Sequence, residues 1–216
     1  MRDLLKSTSP GMRFLTAIFN LIMANLFFMV TSIPIITIGP ALTSLYKITF
    51  EILDGEEVFL LSDYFGTFFK NFKKTFILWI PMLLMSLVMS YSVFLVWAGL
   101  EGTSFWMMIP PLLVLFIIFS VGAYAFPLLS QCYDPLKVVI KNAFLLAIAH
   151  LPTTIFIFIV HAGLAGLLIA FDAVSVTLLS IMVFIGFALT ALLCSVFLRK
   201  IFLPYLPKED DEEDDI

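Results

Sequence analysis

The chain has 216 residues, of which 62% are hydrophobic and 13% charged, against about 25% charged in a typical soluble domain. That balance excludes a water-soluble globular fold and points to an all-α membrane protein, a polytopic helical bundle. The net charge of −4 belongs to one end: seven acids lie in Glu209–Asp215, and without them twelve cations face nine acids, leaving a mildly basic membrane body.

A window of about 20 residues, the length that crosses about 30 Å of hydrocarbon, finds five apolar runs at 14–36, 76–98, 105–128, 147–170 and 175–198. The first is too long for a signal-peptide core and has no small-residue cleavage site after it, so it is expected to stay as a signal anchor. Its Asn20 and Asn25 suit amide bonds across a helix interface. After a break at Pro34, Gly39 and Pro40, the segment 35–53 is expected to return through the membrane as a short, more polar second helix. A re-entrant pair buried in protein is the alternative, because irregular backbone at membrane depth needs partners other than lipid.

Charge argues for this sixth crossing. The connectors around Glu101–Ser104 and Asp172–Ser175 carry no cation and belong outside, whereas every Lys and Arg except Lys47 falls in four segments that belong inside. Only an even number of crossings satisfies all of them. Six helices put both termini in the cytoplasm and the protein in the cell membrane as a multi-pass species, with the bilayer as its first partner.

Lys47 and Glu51 sit on the second helix at i, i+4 spacing, which permits a side-chain pair. A structural ion pair is the preferred reading and a solute site the alternative. Gly55 is a helix stop. Its neighbours Asp54, Glu56 and Glu57 are expected to cap the next segment or pair with Lys70, Lys73 or Lys74, with contact to a partner as the functional alternative.

Phe65, Phe68, Phe69, Phe72 and Phe76 follow one helical stripe, while Thr67, Lys70, Asn71 and Lys74 take the other side. This amphipathic stretch is expected to lie in the inner membrane surface. Each lysine would gain about 1 kcal/mol from anionic headgroups; a coupling helix for a cytoplasmic partner is the alternative. Asp63, Lys70, Asn71 and Pro81 recur as Asp134, Lys141, Asn142 and Pro152, always 71 residues on. That suggests a parallel repeat of 60–129 and 131–200, each unit an interfacial helix plus a hairpin of spans, inside one transmembrane domain over 1–200. Residues 201–216 form an acidic cytoplasmic tail, solvated because like charges repel and have nothing to bury.

An ionisable group at bilayer depth suggests function. His161 lies near the centre of the fourth apolar run, 147–170, which is the fifth span once the short second helix is counted, and His150 and Asp172 stand eleven residues to either side, about three turns and about 16 Å each way on one face. This could be a polar path for a proton or solute; the alternative is a neutral imidazole bonded to a neighbouring helix. Ser86, Ser90, Tyr91, Ala162, Gly163, Ala165 and Gly166 read as packing positions. Cys132 and Cys194 map to the cytoplasmic side and are expected as free thiols.

The sequence has no phosphate loop, no H-E-x-x-H, no paired-cysteine metal spacing and no G-x-S-x-G elbow. No catalytic residue, metal, cofactor or nucleic-acid partner is expected. Outward connectors of about half a dozen residues leave no room for a surface receptor.

The stretch from Asn25 to Tyr46, NLFFMVTSIPIITIGPALTSLY, followed by Gly55-Glu56-Glu57, then Asp63-Tyr64-Phe65 and Phe69-Lys70-Asn71-Phe72, resembles the YesL-like family of bacterial membrane proteins. The hydropathy match spans the chain; the specific motifs lie in its first third. Members are common in Gram-positive bacteria and are often encoded beside carbohydrate-uptake transporters and sugar-processing enzymes. The resemblance implies a role in sugar import with the membrane subunits of a carbohydrate ABC transporter as partners. It carries no catalytic residues: Pro34, Gly39, Pro40, Gly55, Glu56 and Glu57 are family markers or partner contacts, and Lys47 and the acidic tail lie outside the pattern. Two functions follow as expectations: a non-enzymatic accessory or regulatory component of carbohydrate uptake, or a small-solute or ion transporter or channel with its path through the bundle.

Overall fold

A computed structural model describes residues 10–99, 102, 104–131, 134–170, 177 and 179–205. Every regular element among them is helical. In chain order these are α1 (Pro10–Thr31), α2 (Ile38–Asp54), α3 (Leu60–Trp97), α4 (Ile109–Gln131), α5 (Leu136–Ala149), α6 (Leu151–Ala170) and α7 (Phe187–Phe202), with short 3-10 turns between some of them. The helices Gly11–Thr31, Leu60–Trp97, Phe105–Gln131 and Leu179–Phe202 are long and apolar enough to cross a membrane. A pair bent by 96°, Leu136–Ala149 with Leu151–Leu167, makes a fifth if counted as one span.

The second helix is the hub. α2 packs against α1, α3, α4 and α7, and its interior face, from Gly39 and Ala41 through Leu45, Ile48 and Phe50, is buried. α1 presents Leu21, Ala24, Asn25 and Phe28 inward at i, i+3, i+4 and i+7, the spacing of one helical face. α7 does the same with Ala188, Ala191, Ser195, Leu198 and Phe202. At 17 residues α2 is about 26 Å long, slightly less than a hydrocarbon core.

Local chemistry sets the ends of α2. Pro34 opens the break with extended backbone, and the Thr37 hydroxyl donates to the Pro34 carbonyl and to that of Thr31, a group that the end of α1 leaves open. Pro40 falls in the first turn of α2, where its missing N–H costs no helical bond. At the other end Gly55 adopts φ 70°, a left-handed conformation that suits glycine. The Glu56 N–H then donates to the Glu51 carbonyl at 3.0 Å, the outer bond of a Schellman stop.

α3 differs from the sequence expectation. Its amphipathic stretch does not lie separately on the membrane surface; residues 60–97 form one uninterrupted helix of 38 residues with Pro81 inside it, about 57 Å long. The polar side is also revised. Asn71 is 3% exposed on the face formed by Tyr64, Phe68, Thr75 and Leu78, whereas Phe69 is 71% exposed. The reason is tertiary: α2 covers the Tyr64–Asn71–Leu78 stripe, so part of the phenylalanine stripe points away from the bundle.

The matching region of the chain does break. His150 takes φ −116°, ψ 46° after α5, and Pro152 occupies the first turn of α6, a position that tolerates it. Asn142, counterpart of Asn71 in the suggested repeat, is exposed. Asp63 and Asp134 differ too: the Asp63 carboxylate accepts the Phe59 N–H at the start of α3, while Asp134 accepts the Lys74 ammonium at 3.2 Å through its backbone carbonyl.

Candidate functional site

Three connected features surround α2. At its C-terminal end, Lys47 pairs with Glu51 at 3.2 Å and Asp54 pairs with Arg199 of α7. Glu51 is 7% exposed, and its Oε2 has no hydrogen-bond partner. One oxygen of the carboxylate is therefore neutralised by Lys47 and the other is held in the core. Between the two pairs, the Thr49 and Ser195 hydroxyls meet at 2.8 Å, both fully buried. Two of these three polar contacts, Asp54–Arg199 and Thr49–Ser195, join α2 to α7 and fix their register; Lys47–Glu51 lies within α2.

At the level of α1 and α7, Asn25 is 0% exposed. Its Nδ2 donates to the Met182 and Val183 carbonyls at 3.0 and 2.8 Å, and its Oδ1 accepts the Ala188 N–H at 2.9 Å. Residues Met182–Gly186 form a π-helical turn. A wide turn disrupts the regular ladder of an α-helix, and one amide side chain from another helix bonds the polar groups along it. A Cβ at Gly186 would run into the Met182 Cε, the flexible end of that side chain, and stand 3.3 Å from the Ile181 carbonyl.

Next to this turn lies a cavity of about 420 Å³ between α1, α2, α6 and α7. Phe28, Leu42, Leu45, Met182 and Phe187 are among its apolar lining residues, and Tyr46, His161 and Thr190 are its polar members. Thr190 donates to the Gly186 carbonyl at 2.8 Å, and Cys194, one turn further along α7, is a free and buried thiol. His161 Nδ1 lies 2.8 Å from the Ile157 carbonyl on its own helix, and its ring meets Phe119 edge-on at 5.4 Å between centroids.

The sequence-derived residues separate into groups. Gly39, Pro40, Lys47, Glu51 and Gly55 lie on or at the end of α2. Pro34 is exposed in the break before it, and Glu56 and Glu57 are exposed in the turn after it. His150 occupies the elbow between α5 and α6, where its carbonyl accepts the Thr154 N–H at 3.0 Å. His161 reaches the cavity instead. Asp172, the third member of the suggested stripe, lies outside the described residues, as do Glu101, Cys132 and residues 206–216 of the acidic tail; the expected start of that tail at 201 is too early, because Ile201 and Phe202 are buried at the end of α7. Sequence reasoning missed the Asp54–Arg199 pair, the Thr49–Ser195 contact and the π-turn. The first two join positions about 146 residues apart; the third had one signal, an asparagine on the apolar face of α1.

No curated protein and no solved structure matches the chain. A family model described as "Protein of unknown function, DUF624" matches residues 21–93, a segment that runs from the inward face of α1 through all of α2 and most of α3, and contains Asn25, the Lys47–Glu51 pair and all six marker residues.

Proposed function

We propose that this protein is a non-enzymatic membrane component that accompanies and regulates a carbohydrate uptake system, with permease subunits of an ABC transporter as its partners. The observation that carries this reading is the contrast between an interior with few polar groups and a flank of small, exposed residues. The cavity wall is apolar with three separated polar groups, and His150 stands apart from it in an elbow, so a water-filled route has few groups to line it. On α6, Ala162, Gly163, Ala165 and Gly166 are exposed, and a Cβ at Gly163 or Gly166 would meet nothing within 4 Å. Small residues let another helix approach closely in a bilayer, where packing drives association. The link to carbohydrate uptake comes from the YesL-like resemblance of the 25–72 motifs.

Six crossings with both termini cytoplasmic belong to the same proposal. Trp97, Phe105 and Trp106 are 74–75% exposed around the α3–α4 hairpin, and aromatic side chains favour the membrane–water interface. This supports an interfacial position for the hairpin, and the lack of Lys and Arg in it together with Lys70, Lys73 and Lys74 at the other end of α3 supports an outward hairpin. The parallel duplication of 60–129 and 131–200 remains a proposal about ancestry.

Crosslinking in native membranes with mass spectrometry tests the functional reading. Crosslinks to a permease subunit are expected, and the double variant Gly163→Leu/Gly166→Leu should reduce them at least about tenfold, roughly the 1.4 kcal/mol of a modest helix contact, with unchanged thermal stability. No permease partner, together with solute flux through liposomes containing the purified protein, would favour the transporter reading. In that case His161→Ala should lower flux, and unchanged flux would remove His161 from the route.

A further inference from the structure

The cavity beside the π-turn has a composition that selects a ligand class. At about 420 Å³ it falls in the range of small-molecule sites, about 300–1,000 Å³, and is roughly three times the volume of about 150 Å³ that admits benzene. A sugar would be a poor occupant, since each hydroxyl taken from water needs a partner, and the wall has only three polar side chains, of which Thr190 already donates to the Gly186 carbonyl.

His161 adds a ring nitrogen that can accept. The Ile157 carbonyl beside Nδ1 can only accept, so Nδ1 carries the proton, and Nε2 of the neutral ring is an acceptor. No described residue bonds to it. The wall thus combines aliphatic and aromatic carbon with one open acceptor, a pairing that suits a molecule with a long apolar body and one donating group.

Access also fits. Ala165, Val183 and Leu179 are exposed among the lining residues, so the cavity opens between α6 and α7 at the surface read here as facing lipid. We propose that this cavity binds a single-chain amphiphile, its chain along Phe28, Leu45, Met182 and Phe187 and its hydroxyl on His161 Nε2. The inference is independent of the accessory role and of any transported sugar.

Purified full-length protein in nanodiscs, photolabelled with a diazirine-bearing long-chain alcohol and mapped by peptide mass spectrometry, provides the test. Labels should concentrate on the lining segments of α1, α2, α6 and α7. The methyl ether of the same probe, which cannot donate, should label the wild-type protein at least about fivefold less, the equivalent of one hydrogen bond of about 1 kcal/mol. His161→Phe, which keeps a ring against Phe119 but removes the acceptor, should erase that difference, and Ala165→Phe should close the mouth and lower labelling by both probes. Equal labelling by alcohol and ether in the wild-type protein would overturn the proposal, as would labels spread evenly over the lipid-facing residues of α3 and α4.

Discussion

Replacing Asn25 with leucine should lower the thermal midpoint by about 5–10 °C, from a loss of about 2–4 kcal/mol. Asn25 makes three hydrogen bonds to the π-turn from a fully buried position. Leucine fills a similar volume, so the cost isolates the polar contacts. Most of that cost falls on the Ala188 N–H: it would lose its acceptor in a dry environment, and a buried orphan donor costs about 1–3 kcal/mol. The Met182 and Val183 carbonyls add less, because interhelical bonds in membranes average about 0.6 kcal/mol. Thermal unfolding in mild detergent measures the change. A midpoint within about 1 °C of wild type would mean that α7 straightens into a regular helix and satisfies those groups itself, so that Asn25 does not hold the turn.

Gly39→Ala should cost about 1–3 kcal/mol, and Gly39→Leu should prevent accumulation of folded protein. A Cβ at position 39 would stand 2.7 Å from the Trp79 Cβ and 3.1 Å from the Thr75 carbonyl. Neither is the far end of a flexible chain, so α2 and α3 must separate. Separation would also stretch the bond from Trp79 Nε1 to the Ile35 carbonyl, now 2.8 Å, which anchors the break between α1 and α2. Gly66 in α3 gives the opposite expectation: nothing lies within 4 Å of its added Cβ, and Gly66→Ala should stabilise by about 0.5–1 kcal/mol through backbone entropy. Parallel thermal melts of the Gly39→Ala and Gly66→Ala variants check both signs.

The ion pair between Asp54 and Arg199 should matter much less. Their side chains are 26% and 39% exposed, and solvent screening holds such pairs to about 0–1 kcal/mol. Arg199→Gln should therefore shift the thermal midpoint by no more than about 3 °C.

What could be read from the chain followed the reach of each signal. Apolar length located α1, the second part of α3, α4, α6 and α7, because lipid imposes one requirement on all of them. Pro34 and Gly55 marked the two ends of α2 through backbone chemistry that acts within a few residues. Periodicity identified a helix at 60–76 but misassigned its sides. The phenylalanine stripe is greasy enough for lipid, yet α2 supplies a partner for the stripe that includes Asn71, and a spacing pattern contains no information about which neighbour arrives. Pro81 and Pro152 occupy corresponding positions, but only the second follows a break, since the non-helical backbone at His150 depends on its surroundings. His161 was visible as an ionisable residue inside an apolar run. Its cavity was not, because four helices distant in sequence enclose it.

Cysteine accessibility in intact cells tests the central claim, that a largely apolar bundle keeps its cationic flanks in the cytosol. In a Cys132→Ser background, where Cys194 is buried, a membrane-impermeant maleimide should label Ser104→Cys in intact cells and Lys70→Cys only after permeabilisation. Labelling of Lys70→Cys from outside, with Ser104→Cys protected until the membrane is opened, would contradict the orientation and the partner-facing side inferred from it.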